Sequence, residues 1–185
     1  NQTGRPGVHY RLRQSYRRSC PLVVLWDVSG SMASYIDLYF PWVYGLARRF
    51  DNIGIFPFGT RISEITALLR ASFPVARSRL SELEQLWAGG TEIGTVLSEW
   101  IERYSARWLR SDTTFLVISD GWDVGSIEML TGALRHIRSY DARIVWMNPL
   151  MATPGFEPKT RALRAAKPYL ERMVSGHSVH HLLNL

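Results

Sequence analysis

The 185-residue sequence has one cysteine, Cys20. It can therefore hold no internal disulfide, and a lone thiol fits a reducing, cytoplasmic setting. Long hydrophobic runs are missing as well: residues 21–26 and 115–118 fall far short of the roughly 20 apolar residues that cross a bilayer. The opening residues are polar and basic, so a secretory leader is not expected. A start at Asn1 rather than Met leads us to expect a piece of a longer protein. The phosphate loop GxxxxGK[ST], the dinucleotide pattern GxGxxG and the nucleophile elbow GxSxG are all absent, which argues against the enzyme classes built on them. Residues 1–20 contain no acid.

What is present fits one folded domain. With 46% hydrophobic and 21% charged residues, a chain of this length can bury about 70% of its unfolded surface without a staple. The net charge of +6 is unevenly spread. Residues 1–20 hold five of the 22 Lys and Arg residues and none of the 16 acids, which leaves the other 165 with a net charge of only +1. We therefore read 1–20 as a basic arm or linker, 21–172 as the domain and 173–185 as a tail. The arm is suited to phosphates or an acidic partner. No helix-turn-helix or base-stacking pattern accompanies it, so nucleic-acid binding is not expected. His177, His180 and His181 in the tail have no Cys or further acid beside them. They read as solvated or packed side chains rather than a metal cluster.

Residues 21–27 (PLVVLWD) form an apolar run too short for a helix and long enough for a buried strand. Residues 53–58, 113–119 and 142–147 read likewise. Between them, apolar residues recur every three or four positions: Ile36, Phe40, Val43, Ala47 and Phe50; Leu80, Leu83, Leu86 and Trp87; Ile93, Val96, Leu97, Trp100, Ile101 and Tyr104; Ile127, Leu130, Leu134 and Ile137. Each set marks one helix face. Pro41 is expected to kink or restart the first of these helices. Gly89 and Gly90 should stop the second, and Thr91 should cap the third. A last helix is expected over 160–172. Residues 62–68 read as the hairpin partner of 53–58 across Gly59 and Thr60. Strands alternating with helices imply crossovers. The expected fold class is α/β: a doubly wound, mostly parallel sheet with one antiparallel edge strand and helices on both faces. In such folds ligands sit beyond the carboxyl ends of the strands, where strand order reverses.

Three loops lie at those ends. Asp27-Val28-Ser29-Gly30-Ser31 follows the first strand, Gly90-Thr91-Glu92 precedes a helix, and Asp120-Gly121 follows the strand at 113–119. The first strand and the later one should flank the switch point and bring Asp27 close to Asp120. Two acids without a basic neighbour repel, and one of them would take up a proton. A divalent cation removes the conflict. Asp27, Ser29, Ser31, Thr91 and Asp120 offer two carboxylates and three hydroxyls, a set that suits Mg²⁺, with Mn²⁺ or Ca²⁺ as alternatives, and not zinc. Two carboxylates balance the ion's charge only formally, so it stays able to take a carboxylate from another molecule. The plain alternative is a set of caps and turn residues held by local hydrogen bonds. Glu92 and Asp123 read more simply as a first-turn acid and a loop acid, with tuning of the metal ligands as the lesser reading. Tyr35, Trp122 and Met151 are expected at the rim.

Asp27-x-Ser29-x-Ser31 with Thr91 and Asp120 resembles the metal-ion-dependent adhesion site (MIDAS) of von Willebrand factor A (VWA) domains, over roughly residues 20–150. Four further stretches, ISDGWD at 118–123, WMNPL at 146–150, GFEP at 155–158 and RAAKPY at 164–169, are similar to the bacterial CoxE-like proteins. In that family the VWA domain lies at the C-terminus of a longer chain. The resemblance implies a bound Mg²⁺ and a protein partner that supplies an Asp or Glu to it. It also implies an adaptor role beside a MoxR-type AAA+ ATPase, in assembly or maturation of a metalloenzyme such as carbon monoxide dehydrogenase. It implies a binding module rather than an enzyme. The other reading of the same residues is a metal-dependent hydrolase, for instance a phosphatase whose ion activates water. No general base is evident for it, and Ser29 stands where aspartate-based phosphatases carry a second acid.

Overall fold

A computed structural model describes residues 20–84 and 90–176 of the chain. Most of the basic arm, Gly89 and the three tail histidines lie outside them. Five strands form one sheet: β1 (Leu22–Asp27), β2 (Ile53–Phe58), β3 (Thr114–Ile118), β4 (Arg143–Asn148) and β5 (Arg172–Ser175). Their order is β2-β1-β3-β4-β5, and every adjacent pair is parallel. The helices are α1 (Ile36–Arg49), α2 (Phe73–Glu84), α3 (Ile93–Trp108), α4 (Ile127–Arg138) and α5 (Arg161–Ala166).

The apolar runs become strands because both faces of the sheet are covered. Val23, Leu25, Phe115, Val117, Ile144 and Trp146 join the core that contains α3, α4 and α5. Their neighbours Val24, Trp26, Leu116, Ile118 and Met147 join the core that contains α1 and α2. The two-residue alternation of a strand thus feeds two separate cores. This is the doubly wound α/β architecture expected from the sequence. Among the described residues, no helix is long and apolar enough to cross a membrane.

The expected antiparallel edge strand at 62–68 does not form. Its pairing is a single isolated bridge, Phe58 with Ile62, and the chain then enters a 3-10 turn at Leu68–Arg70. The cause lies in β2. Pro57 has no N–H to donate, and the Ile55 N–H goes to the Thr66 hydroxyl at 2.9 Å instead of to a backbone carbonyl. Ser63 N–H still donates to the Pro57 carbonyl at 3.3 Å and Ile65 N–H to that of Ile55 at 2.9 Å. With the return bonds missing, no ladder propagates.

Two helix expectations also change. A 3-10 turn at Gly30–Tyr35 leads into α1, which then runs through Pro41 without a restart. The helix expected over 160–172 ends at Ala166. Pro168 lacks the N–H a continuing helix needs, and the chain tightens into a 3-10 turn at Lys167–Tyr169. Residues 172–175 then pair with β4, Trp146 opposite Met173 and Met147 opposite Val174.

Candidate metal centre

The chain leaves β1 for β2 on one side and comes back to β3 on the other. The carboxyl ends of β1 and β3 therefore flank the switch point. Parallel register sets Trp26 opposite Ile118, which brings Asp27, the last residue of β1, beside Ser119. Asp120 follows at once. Asp27 is fully buried and Asp120 only 5% exposed, and among the described residues neither makes an ion pair.

Both oxygens of Asp27 are fixed. Oδ1 accepts the Ser29 backbone N–H at 3.0 Å, and Oδ2 accepts the Ser119 hydroxyl at 2.7 Å. The first bond is an Asx turn, which is why a chain leaving a strand at Asp can fold back at once. Burial pushes the Asp27 carboxyl up to about 6; the hydrogen bonds from Ser29 and Ser119 oppose this, and the charge of Asp120 adds to it. Asp120 is anchored the same way: Oδ1 accepts the Trp122 N–H at 2.9 Å, and its carbonyl accepts Asn148 Nδ2 at 3.0 Å.

Thr91 does not cap α3, contrary to expectation. The capping position is Glu92, without a side-chain cap bond. The Ile93 N–H instead goes to Asp123 Oδ1 at 2.8 Å, and Val124 N–H goes to the Thr91 carbonyl at 3.0 Å. The loop after β3 therefore clasps the loop that carries Thr91. Glu92, at the capping position rather than in the first turn, accepts the Thr95 hydroxyl on Oε2 at 2.9 Å.

A cavity of about 240 Å³ opens between these loops, lined by Ser29, Gly30, Ser31, Gly90, Thr91, Trp122, Asp123 and Val124. The Ser29 and Ser31 hydroxyl oxygens stand 3.4 Å apart, near the spacing of about 3 Å between neighbouring ligands of an octahedral ion at about 2.1 Å. The donor chemistry fits a hard cation: oxygen alone, with two buried acids that share no basic partner among the described residues. Among the described residues no three His, Cys, Asp or Glu side chains gather as a metal cluster, so hydroxyls have to complete the shell. A larger cleft of about 760 Å³ between α1 and the sheet, lined by Leu22, Trp42, Leu46 and Phe50 among others, has no acid in its wall and is no candidate for a cation. Of the three rim residues expected, Trp122 lines the cavity; it is 66% exposed, and Val124 joins it at 75%.

Sequence reasoning missed the supports. Ser119 is fully buried and bonds Asp27, the Gly121 N–H and, through its carbonyl, Trp146 Nε1. Asn148 ties Asp120 to the Leu150 N–H. The one signal for Ser119 was its place directly before Asp-Gly at a strand end.

A family profile described as "VWA domain containing CoxE-like protein" matches residues 1–182. No curated protein matches the sequence. Among solved structures, a von Willebrand factor type A protein from Catenulispora acidiphila is 16% identical, with a TM-score of 0.60, over 88% of this chain and 40% of that one. BatB from Bacteroides thetaiotaomicron, a conserved hypothetical protein, is 15% identical, with a TM-score of 0.55, over 86% of this chain and 91% of its own. The VWA domain of SpRpn10 is 12% identical, with a TM-score of 0.52, over 89% and 92%. At these identities the likeness shows the fold. The chain spans less than half of the Catenulispora protein.

Proposed function

The chain belongs to the CoxE-like VWA family, and from that premise we propose that it is a metal-ion-dependent protein-binding module. The observation that carries this reading is the pair Asp27 and Asp120, both buried at the switch point, with no cationic side chain among the described residues paired to them. Asp27, Ser29, Ser31, Thr91 and Asp120 would hold Mg²⁺, with Mn²⁺ or Ca²⁺ able to replace it. The ion supplies a Lewis-acidic seat for a carboxylate. The side chains orient that seat: Ser119 fixes Asp27, Asn148 and the Trp122 N–H fix Asp120, and the clasp on the Thr91 loop holds its hydroxyl at the cavity. A partner's Asp or Glu completes the site, and the exposed Trp122 and Val124 offer apolar contact beside it.

Family membership also supports a narrower reading. The partner is a MoxR-type AAA+ ATPase or its client, and the module works in the cytoplasm as an adaptor in assembly or maturation of a metalloenzyme. The test is capture of the MoxR-type ATPase from the same genome by immobilised protein, in Mg²⁺ and in chelator. Capture should need Mg²⁺ and vanish for Asp120→Ala. Equal capture in chelator would overturn the reading. A Mg²⁺-dependent turnover of p-nitrophenyl phosphate that Asp120→Ala abolishes would install the hydrolase in its place.

Trp122→Ala should weaken ATPase binding at least tenfold, as loss of an exposed aromatic anchor does. Its Mn²⁺ affinity, measured by calorimetry, should match that of the native protein. A matching loss in both would place Trp122 in the cation site rather than in the partner contact.

A further inference from the structure

The clasp on α3 leaves one oxygen unexplained. Asp123 Oδ1 is committed to the Ile93 N–H at 2.8 Å. Its other oxygen, Oδ2, is closed to solvent and has no hydrogen-bond partner. A buried carboxylate oxygen without a donor is costly, and capping does not require it. Asn, Ser or Thr would accept the same N–H without burying a charge. The side chain also lines the cavity shared by Ser29, Ser31 and Thr91. Gly125 leaves room for it there, since a Cβ at that position would stand 3.3 Å from Asp123 Oδ1.

We propose that Asp123 is a third carboxylate of the cation site, acting on the ion by its charge from outside the set of ligands. The proposal rests on the reading of this cavity as a cation site. Asp27, Asp120 and Asp123 do not gather into one cluster, so Asp123 acts from outside the ligands, through its negative charge at the cavity wall. Its two oxygens then have two tasks. Oδ1 fixes the start of α3 and with it the Thr91 loop. Oδ2 leaves the carboxylate's charge without a partner, and that charge beside the cavity would tighten the hold on the cation. Partners of this kind, one step out from the ligands, commonly govern affinity by 10–100-fold.

The experiment is Mn²⁺ binding, followed by electron paramagnetic resonance of the free ion, to the native protein, Asp123→Asn, Asp123→Ser and Asp120→Asn. Asn and Ser both keep an acceptor for the Ile93 N–H and remove the charge. Mn²⁺ affinity should fall about tenfold or more in both Asp123 variants, while their metal-free melting temperatures stay level with the native protein or rise. The metal-free melt separates an effect on the ion from a fault in the α3 cap. Native affinity in the Asp123 variants, with binding lost in Asp120→Asn, refutes the role of Asp123 and leaves the cation site standing. A metal-free melting temperature lowered in both Asp123 variants refutes it too, because Asp123 would then be a structural cap. No Mn²⁺ binding by the native protein removes the site and the proposal together.

Discussion

Asp27→Asn should melt at the same temperature with and without Mg²⁺, and its metal-free stability should be nearly flat across the range in which the native protein changes. In the cation-free native protein the Asp27 carboxyl is raised from 3.8 to about 6, chiefly by burial. The folded state therefore holds the proton more tightly than the unfolded chain. The stability contributed by this group is complete below about pH 3.8 and is lost as the pH rises through about 6. The difference amounts to on the order of 2–3 kcal/mol, or roughly 5–10 °C in melting temperature for a domain of this size. Above that range a bound Mg²⁺ neutralises the buried carboxylate and restores what the metal-free protein has lost. Asn keeps an oxygen for the Ser29 N–H, and its amide can face the Ser119 oxygen, so the fold survives without the charge. Thermal melts at pH 4 and pH 7.5, each with Mg²⁺ or chelator, test this. Parallel pH curves for the two proteins, or a Mg²⁺ response retained by the variant, would contradict it.

Gly121→Ala should be the more damaging change for the fold. Gly121 follows Asp120 with φ of +79°, and a Cβ there would collide with Cγ of Leu163 on α5. A non-glycine residue in this region costs about 1–3 kcal/mol, and overpacking against a buried leucine costs about 1–3 kcal/mol more. Urea denaturation should therefore show a loss of roughly 2–6 kcal/mol. Leu163→Ala in the same chain should return only the packing share, because the backbone strain remains. Mn²⁺ affinity should fall with Gly121→Ala alone, since the turn that places the Asp120 carboxylate is displaced. A stability within about 1 kcal/mol of native would show that α5 yields more easily than the contact implies.

How much of this was readable beforehand follows from the range of each interaction. The runs at 21–27 and 113–119 declare themselves as strands because a strand buried on both faces needs apolar side chains at every position. Asp27, Ser29, Ser31, Thr91 and Asp120 could be singled out as candidates because strand ends at a switch point are where ligands gather, and each of the five carries an oxygen donor. The edge strand at 62–68 was misread although Pro57 stood in plain sight. Alternation suggested a ladder, while the missing N–H of Pro57 and the Thr66 hydroxyl bonding Ile55 denied it one. Arg172–Ser175 is too short to announce itself and becomes β5 only because β4 has backbone groups to pair.

The sequence alone, then, determined the α/β class, the helix faces and the oxygen donors, because periodicity and turn chemistry act over a few residues. Tertiary structure decided what those donors lean on. Ser119 reaches Asp27 across 92 positions, and Asp123 reaches Ile93 across 30. Such partners exist only once parallel register has laid β3 beside β1, a non-local choice made by the packing of two cores on one sheet.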